Sequence, residues 1–174
     1  MGRNEEVLKE DNVGRKNIIF GLCWLFLFMI CGSVLEFTIG QSKWYQPVQK
    51  WGITPTNQPQ NIKEEAIFVK KLSRKLLVTS HLHANEFALV NIVLGMIIGS
   101  IAFPLILKQI ASYLLIAGTA LFSLGLVFGG LVSPAFITPM TPFGGFCMII
   151  GVLIVVVGKV RCVCSTSSTS GNNP

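Results

Sequence analysis

The sequence predicts an all-α integral membrane protein: four transmembrane helices packed through glycine-rich faces, with a long amphipathic connection between the first and the second. Three observations carry this class. Hydrophobic residues make up 51% of the 174 residues and charged residues 13%, a balance unlike that of a soluble domain. Windows 17–39, 113–132 and 143–160 are each about twenty residues long with at most one ionisable group, and an α-helix of that length crosses the roughly 30 Å hydrocarbon layer. A fourth apolar window, 87–107, follows directly on the polar run Ser80-His81-Leu82-His83-Ala84-Asn85-Glu86.

Taken in order, residues 1–16 are polar and of mixed charge and read as a flexible tail. Helix 1 is expected at 17–39, with Glu36 near its end and Gly40 as its stop. Residues 40–80 form the long connection. Its first half carries Trp44, Tyr45 and Trp51 among Pro47, Pro55 and Pro59, the signature of an irregular segment anchored at a membrane interface. Its second half places Ile62, Ala66, Val69, Leu72 and Leu76 on one helical face and Lys63, Lys70, Lys71 and Lys75 elsewhere. This is a basic amphipathic helix that either lies on the membrane or runs on into helix 2.

Helix 2 is expected at 81–107, with Pro104 kinking its end and Lys108-Gln109 turning into helix 3 at 111–132. The uncharged loop 133–142 holds three prolines and leads to helix 4 at 142–160. Residues 164–174 are rich in Ser, Thr and Asn and read as a disordered tail. Cys162 and Cys164 beside Lys159 and Arg161 are palmitoylation candidates. The formal net charge of +6 is assigned to the membrane surface, since nothing resembles a nucleic-acid-binding module. Lys and Arg divide seven to seven between the two sides. Orientation then rests on Arg15, Lys16, Lys159 and Arg161, which abut helix ends and favour cytoplasmic termini.

Glycines recur at helix-packing intervals: Gly95 and Gly99 on helix 2, Gly118, Gly125 and Gly129 on helix 3, and Gly144, Gly151 and Gly158 on helix 4. Small residues on one stripe let backbones approach closely, within a chain or against another subunit. Gly151→Leu is therefore expected to disrupt assembly more than Val155→Leu.

The chemistry-bearing residues gather at the start of helix 2. At about 100° per residue, His81, Ala84, Asn85, Ala88, Asn91, Gly95 and Gly99 share one third of the circumference. His83 and Glu86 fall together on another side. Helix 1 ends where helix 2 begins, so Glu36 lies at the depth of His81, His83 and Glu86. Ionisable groups at such a level either mark the headgroup boundary or ligate a haem or metal, bind a substrate, or relay protons. His-x-His carries no third ligand at a zinc-type spacing. On the small-residue face, His81 is expected to find space for a flat ligand, with Glu36 as acceptor for its second nitrogen.

Ser80-His81-Leu82 opening a small-residue helix 2, together with the glycine-rich stretch AGTALFSLGLVFGG of helix 3, resembles the styrene oxide isomerase and hydroxylaminobenzene mutase group of four-helix membrane proteins. The resemblance implies a membrane-embedded isomerase that rearranges a small hydrophobic, aromatic substrate. It implies haem b held by a histidine near the start of helix 2, with the ferric iron as Lewis acid. By position the haem ligand is His81, with His83 second. Where that group has an asparagine six residues on, Phe87 stands here, so Asn85 and Asn91, with Glu36, are the candidate catalytic residues. His83-Ala84-Asn85 after a long basic loop is also similar to the His-x-Asn motif of the MAPEG membrane transferases, which implies glutathione as co-substrate. The reading from a different class is a non-catalytic accessory subunit. Its partners, beyond the lipid bilayer, are further copies of itself or a larger membrane complex met through the glycine-rich faces.

Overall fold

The computed structural model describes residues 2–41, 62–132 and 137–169, with the side chains at 2–11, 35–41, 62–71, 73, 138 and 164–169 outside that description. It consists of four long helices: α1 (Gly2–Gln41), α2 (Ile62–Ile98), α3 (Leu105–Leu131) and α4 (Ile137–Thr169). Each contains a stretch long and apolar enough to cross a membrane: Asn12–Val34, Arg74–Ile98, Leu105–Leu131 and Pro139–Val163. Helix α1 packs on α2, α3 packs on α4, and the two pairs join mainly through α2 and α3.

The element boundaries differ from the sequence expectation, and each difference has a local cause. Helix α1 begins at Gly2 rather than at 17, because residues 2–16 supply helix-forming Glu, Leu and Lys. Helix α2 begins at Ile62, so the basic amphipathic segment continues into the apolar span without a break. It ends at Ile98, not 107. There Ser100 folds back on Ile97, donating to its carbonyl oxygen from both the amide (2.9 Å) and the hydroxyl (2.8 Å). Pro104 does not kink α2; it is the N-cap of α3, with φ −62° and ψ 152°. A proline suits this start, since the first helical amides have no intrahelical acceptor. Lys108 therefore sits in the first turn of α3 and not in a loop. Its buried Nζ donates to the Gly99 carbonyl oxygen at 3.0 Å, placing a cation on the negative end of α2. Helix α4 starts at Ile137, takes Pro142 into its second turn and runs on to Thr169, through the first residues of the expected tail. The expectations for Trp44, Tyr45, Trp51 and the neighbouring prolines, for 133–136 and for 170–174 fall outside the described residues.

Two close approaches set the helix pairs. A Cβ built on Gly21 would lie 2.7 Å from the Ala88 carbonyl oxygen of α2. One built on Gly118 would lie 2.8 Å from the Gly144 carbonyl oxygen, and one on Gly144 would lie 2.8 Å from that of Gly118. Gly99 differs: it lies past the end of α2 with nothing within 4 Å. Val155, four residues after Gly151 and on the same face, is 1% exposed and a core residue, so leucine there also meets packed neighbours. Leu153, 59% exposed, is the outward-facing comparison to Gly151.

A buried polar chain ties the helices together. The Ser112 hydroxyl donates to Asn17 Oδ1. Asn17 Nδ2 donates to Asn91 Oδ1 at 3.1 Å. Asn91 Nδ2 donates to Thr119 Oγ1 at 2.7 Å and to the Phe87 carbonyl oxygen at 2.9 Å. The Thr119 hydroxyl reaches Met148 Sδ at 3.1 Å. All four helices are engaged, and Asn17, Asn91 and Thr119 are 0% exposed.

Consecutive helices alternate in direction, so the α1–α2 and α3–α4 connections lie at one end and the α2–α3 connection at the other. Cysteines placed at Arg74 and Pro139 in a cysteine-free background are expected to react with an impermeant thiol reagent from the same side, and one at Ser100 from the opposite side. Labelling of the first two positions from different sides would break this topology.

Candidate functional site

The start of α2 presents its two histidines to different surroundings. His81 faces α1. Its Nδ1 lies 2.8 Å from the Phe28 carbonyl oxygen, which can only accept, so Nδ1 carries the proton. Its Nε2 is then the acceptor, and Asn85 Nδ2 donates to it at 3.3 Å. The ring rests on Gly32, where a Cβ would come within 2.5 Å of Nδ1. The acceptor described for His81 is a backbone carbonyl of α1; the expectation for Glu36 falls on a side chain outside the described residues. The expected space around His81 is absent for a physical reason. Ala84 and Ala88 are 0% exposed because the small residues have let α1 close onto α2, and the gap is filled by the neighbouring backbone.

His83 stands two residues on and faces away from α1. Its Nδ1 pairs with Glu86 Oε2 at 3.0 Å, one helical turn along. Its ring stacks on Phe87 (centroids 5.9 Å apart, 17° between planes) and meets the edge of Phe122 of α3 (5.5 Å, 89°). Phe87 and Phe122 also meet edge to face at 5.0 Å. The Glu86 carboxylate accepts, so Nδ1 carries a proton, and no residue described here hydrogen-bonds to Nε2.

The same two phenylalanines form one end of a groove of about 580 Å³ between α2, α3 and α4. Gly145, Met148, Val152 and Val156 of α4 continue it, and every lining residue is apolar. A cavity of this size falls in the range of small-molecule sites. The sequence expectation missed the groove because its walls are ordinary apolar residues on three helices. The legible sign was Phe87, one turn after His83 and therefore on the same face.

The other expected site residues fall elsewhere. Asn85 serves His81, and its Oδ1 is buried without a partner among the described residues. Asn91 belongs to the buried chain that joins the helices. Among the described side chains, Arg15, Arg74 and Arg161 are exposed, so none of them stands inside the bundle to hold a glutathione carboxylate. No group of three His, Cys, Asp or Glu among the described residues could hold a metal ion.

The fold and site define a four-helix, all-α chain with membrane-length spans and a histidine–carboxylate pair at the rim of an apolar groove. No family model, curated protein or solved structure matches the chain.

The residues present can be tested against haem, the group that the resemblance implies. At His81 the fit fails, since both ring nitrogens are engaged and the ring is pressed on Gly32. At His83 the arrangement admits a ligand: one nitrogen is fixed by a carboxylate and the other has no hydrogen-bond partner among the described residues.

Proposed function

We propose that this chain is a multi-pass integral membrane protein that binds a small hydrophobic molecule in the α2–α3–α4 groove and isomerises it, with His83 as the acting group. The observation that carries this reading is the meeting of His83 with Phe87 and Phe122, the two rings that open the groove. Membrane insertion is supported by the outward-facing side chains: Phe26, Met96, Ile106, Phe146 and Ile149 are each at least 66% exposed and apolar on all four helices. The helices are held through glycine-rich faces, a reading supported by the backbone approaches at Gly21, Gly118 and Gly144.

In this role His83 Nε2 takes a proton from one position of the substrate and returns it at another, so that no net proton is consumed. Glu86 holds the ring in the required tautomer and stabilises the imidazolium while the proton is away. The apolar lining holds the hydrophobic part of the substrate beside the pair. Haem b, were it bound at Nε2, would supply a Lewis acid for a substrate oxygen.

The test uses the purified full chain with aryl epoxides as substrates, product chromatography as readout and an absorption spectrum of the same sample. His83→Ala is expected to lower kcat/KM at least about 100-fold, the scale of general acid–base catalysis. His81→Ala should lower the melting temperature and leave kcat/KM of the folded fraction within about threefold. The reverse ranking, with the loss at His81, would overturn the assignment.

A further inference from the structure

We infer that the connection between α2 and α3, together with the last turns of the α4 span, forms a headgroup site for an anionic phospholipid. The site lies at the opposite end of α2 from His83 and is independent of the groove.

Three cations converge on this short connection. The Lys108 ammonium donates to the Gly99 carbonyl oxygen at 3.0 Å. The Lys159 ammonium donates to Ser100 Oγ at 3.1 Å. The Arg161 guanidinium lies over the Phe103 ring, 5.4 Å from its centroid. The backbone ties the connection to α4 as well, since the Ala102 amide donates to the Gly158 carbonyl oxygen at 3.3 Å. Lys108 is buried against the negative end of α2, whereas Lys159 and Arg161 are exposed. Ser100 takes one of the three donors of the Lys159 ammonium. The Arg161 guanidinium has no hydrogen-bond partner among the described residues.

No described carboxylate answers this charge. Glu86, the one carboxylate among the described side chains, belongs to the other end of the α2 span. Glu5, Glu6, Glu10 and Asp11 precede the span of α1, which packs on α2 and α3, while α4 packs mainly on α3. Positive charge without a local counter-charge draws an anion.

Depth and surroundings decide which anion. Lys108 stands at the start of the span Leu105–Leu131, and Lys159 and Arg161 stand at the end of the span Pro139–Val163. Cations so placed reach the headgroup level by extending their stems. Around α4, at about 100° per residue, Val157, Val160 and Val163 fall between Lys159 and Arg161, and all three are exposed. An apolar stripe bordered by a cation on each side fits acyl chains below a phosphate. A soluble anion would leave the stripe unused. Ser100 and Phe103 hold the two exposed cations in place before a lipid arrives, which lowers the ordering cost of binding.

The experiment titrates the purified full chain in detergent with dioleoyl phosphatidylglycerol or dioleoyl phosphatidylcholine and counts bound lipid by native mass spectrometry. Phosphatidylglycerol is expected to bind at least about tenfold more tightly. Lys159→Gln/Arg161→Gln should remove that preference. Arg15→Gln/Lys16→Gln, which takes the same charge from α1 at the same end, should change it less than about threefold. Lys159→Arg/Arg161→Lys keeps both charges and should retain it. Equal binding of the two lipids by the parent chain would overturn the inference. Equal losses in the two glutamine variants would do so too, since overall surface charge would then suffice. Loss in the charge-keeping variant would assign the effect to packing and count against the site. Displacement of phosphatidylglycerol by millimolar inorganic phosphate would give the cations to a soluble anion instead.

Discussion

Replacing Gly144 by leucine is expected to leave almost no folded protein, whereas the same change at the adjacent Gly145 should be tolerated. At Gly144 a Cβ would lie 2.5 Å from the Phe122 amide nitrogen, 2.8 Å from the Gly118 carbonyl oxygen and 3.0 Å from Phe122 Cα. These are backbone atoms of α3 and cannot swing aside, so the helices must separate. Because α3 and α4 form the most extensive helix pair, separation exposes the contact that holds α4 in place. At Gly145 the new side chain meets the Phe122 ring at van der Waals distance and enters the groove. Both variants exchange glycine for a better helix former, worth about 1 kcal/mol in each case, so propensity cancels in the comparison. Size-exclusion profiles of the two proteins extracted in mild detergent provide the readout. Equal monodisperse yields would refute the role given to the Gly118–Gly144 contact.

The second large effect concerns Asn91. Its amide accepts from Asn17 and donates to Thr119, both buried bonds, and donates to the Phe87 carbonyl oxygen in a part-buried one. Asn91→Leu preserves approximate size and removes three contacts at once. It leaves the Asn17 Nδ2 group without its acceptor in surroundings that offer no water. A buried polar group so abandoned costs about 1–3 kcal/mol, although interhelical hydrogen bonds within membranes are worth only about 0.6 kcal/mol on average. A loss of about 2–3 kcal/mol is expected for Asn91→Leu in reversible SDS unfolding. The double variant Asn17→Leu/Asn91→Leu should be less destabilised than the sum of the singles, with a coupling of about 1 kcal/mol, because the second substitution removes the abandoned partner. Strict additivity would mean that the two amides do not act as a pair. Activity of the folded fraction is expected to persist, since Asn91 stands in the polar chain and not at the groove.

Much of this was legible in the chain and some was not. Uninterrupted apolar length announced the four spans, because hydrophobic thickness is a one-dimensional constraint that a sequence carries directly. The division of faces at the start of α2 was also legible: helical periodicity alone puts His81 with Ala84 and Ala88, and His83 with Glu86. The environment of each face was not. Small residues were read as leaving room beside His81, and in three dimensions they remove it by drawing α1 inward. The partner of His81 is a main-chain oxygen of Phe28, and a backbone acceptor leaves no mark on residue identity. The groove at His83 is assembled from three helices, so no window of sequence contains it. Pro104 was misplaced because a proline both ends one helix and starts the next, and only the intervening turn at Ser100 shows which it does here.

The unbroken course of α2 has a mechanical consequence. Its 37 residues make a rod about 55 Å long, considerably more than the hydrocarbon thickness. The surplus is the basic amphipathic turns that precede His81. With no glycine or proline from Ile62 to Leu94, the rod carries no joint between its cationic end and its histidine end. Torque applied at the outer end is transmitted in full. A twist of about 100°, the angle of one residue step, would carry His83 and Phe87 together away from Phe122 of α3 and turn other side chains towards the groove. Whatever grips the outer turns, whether a charged lipid surface or another protein, thereby holds a handle on the angular setting of the site.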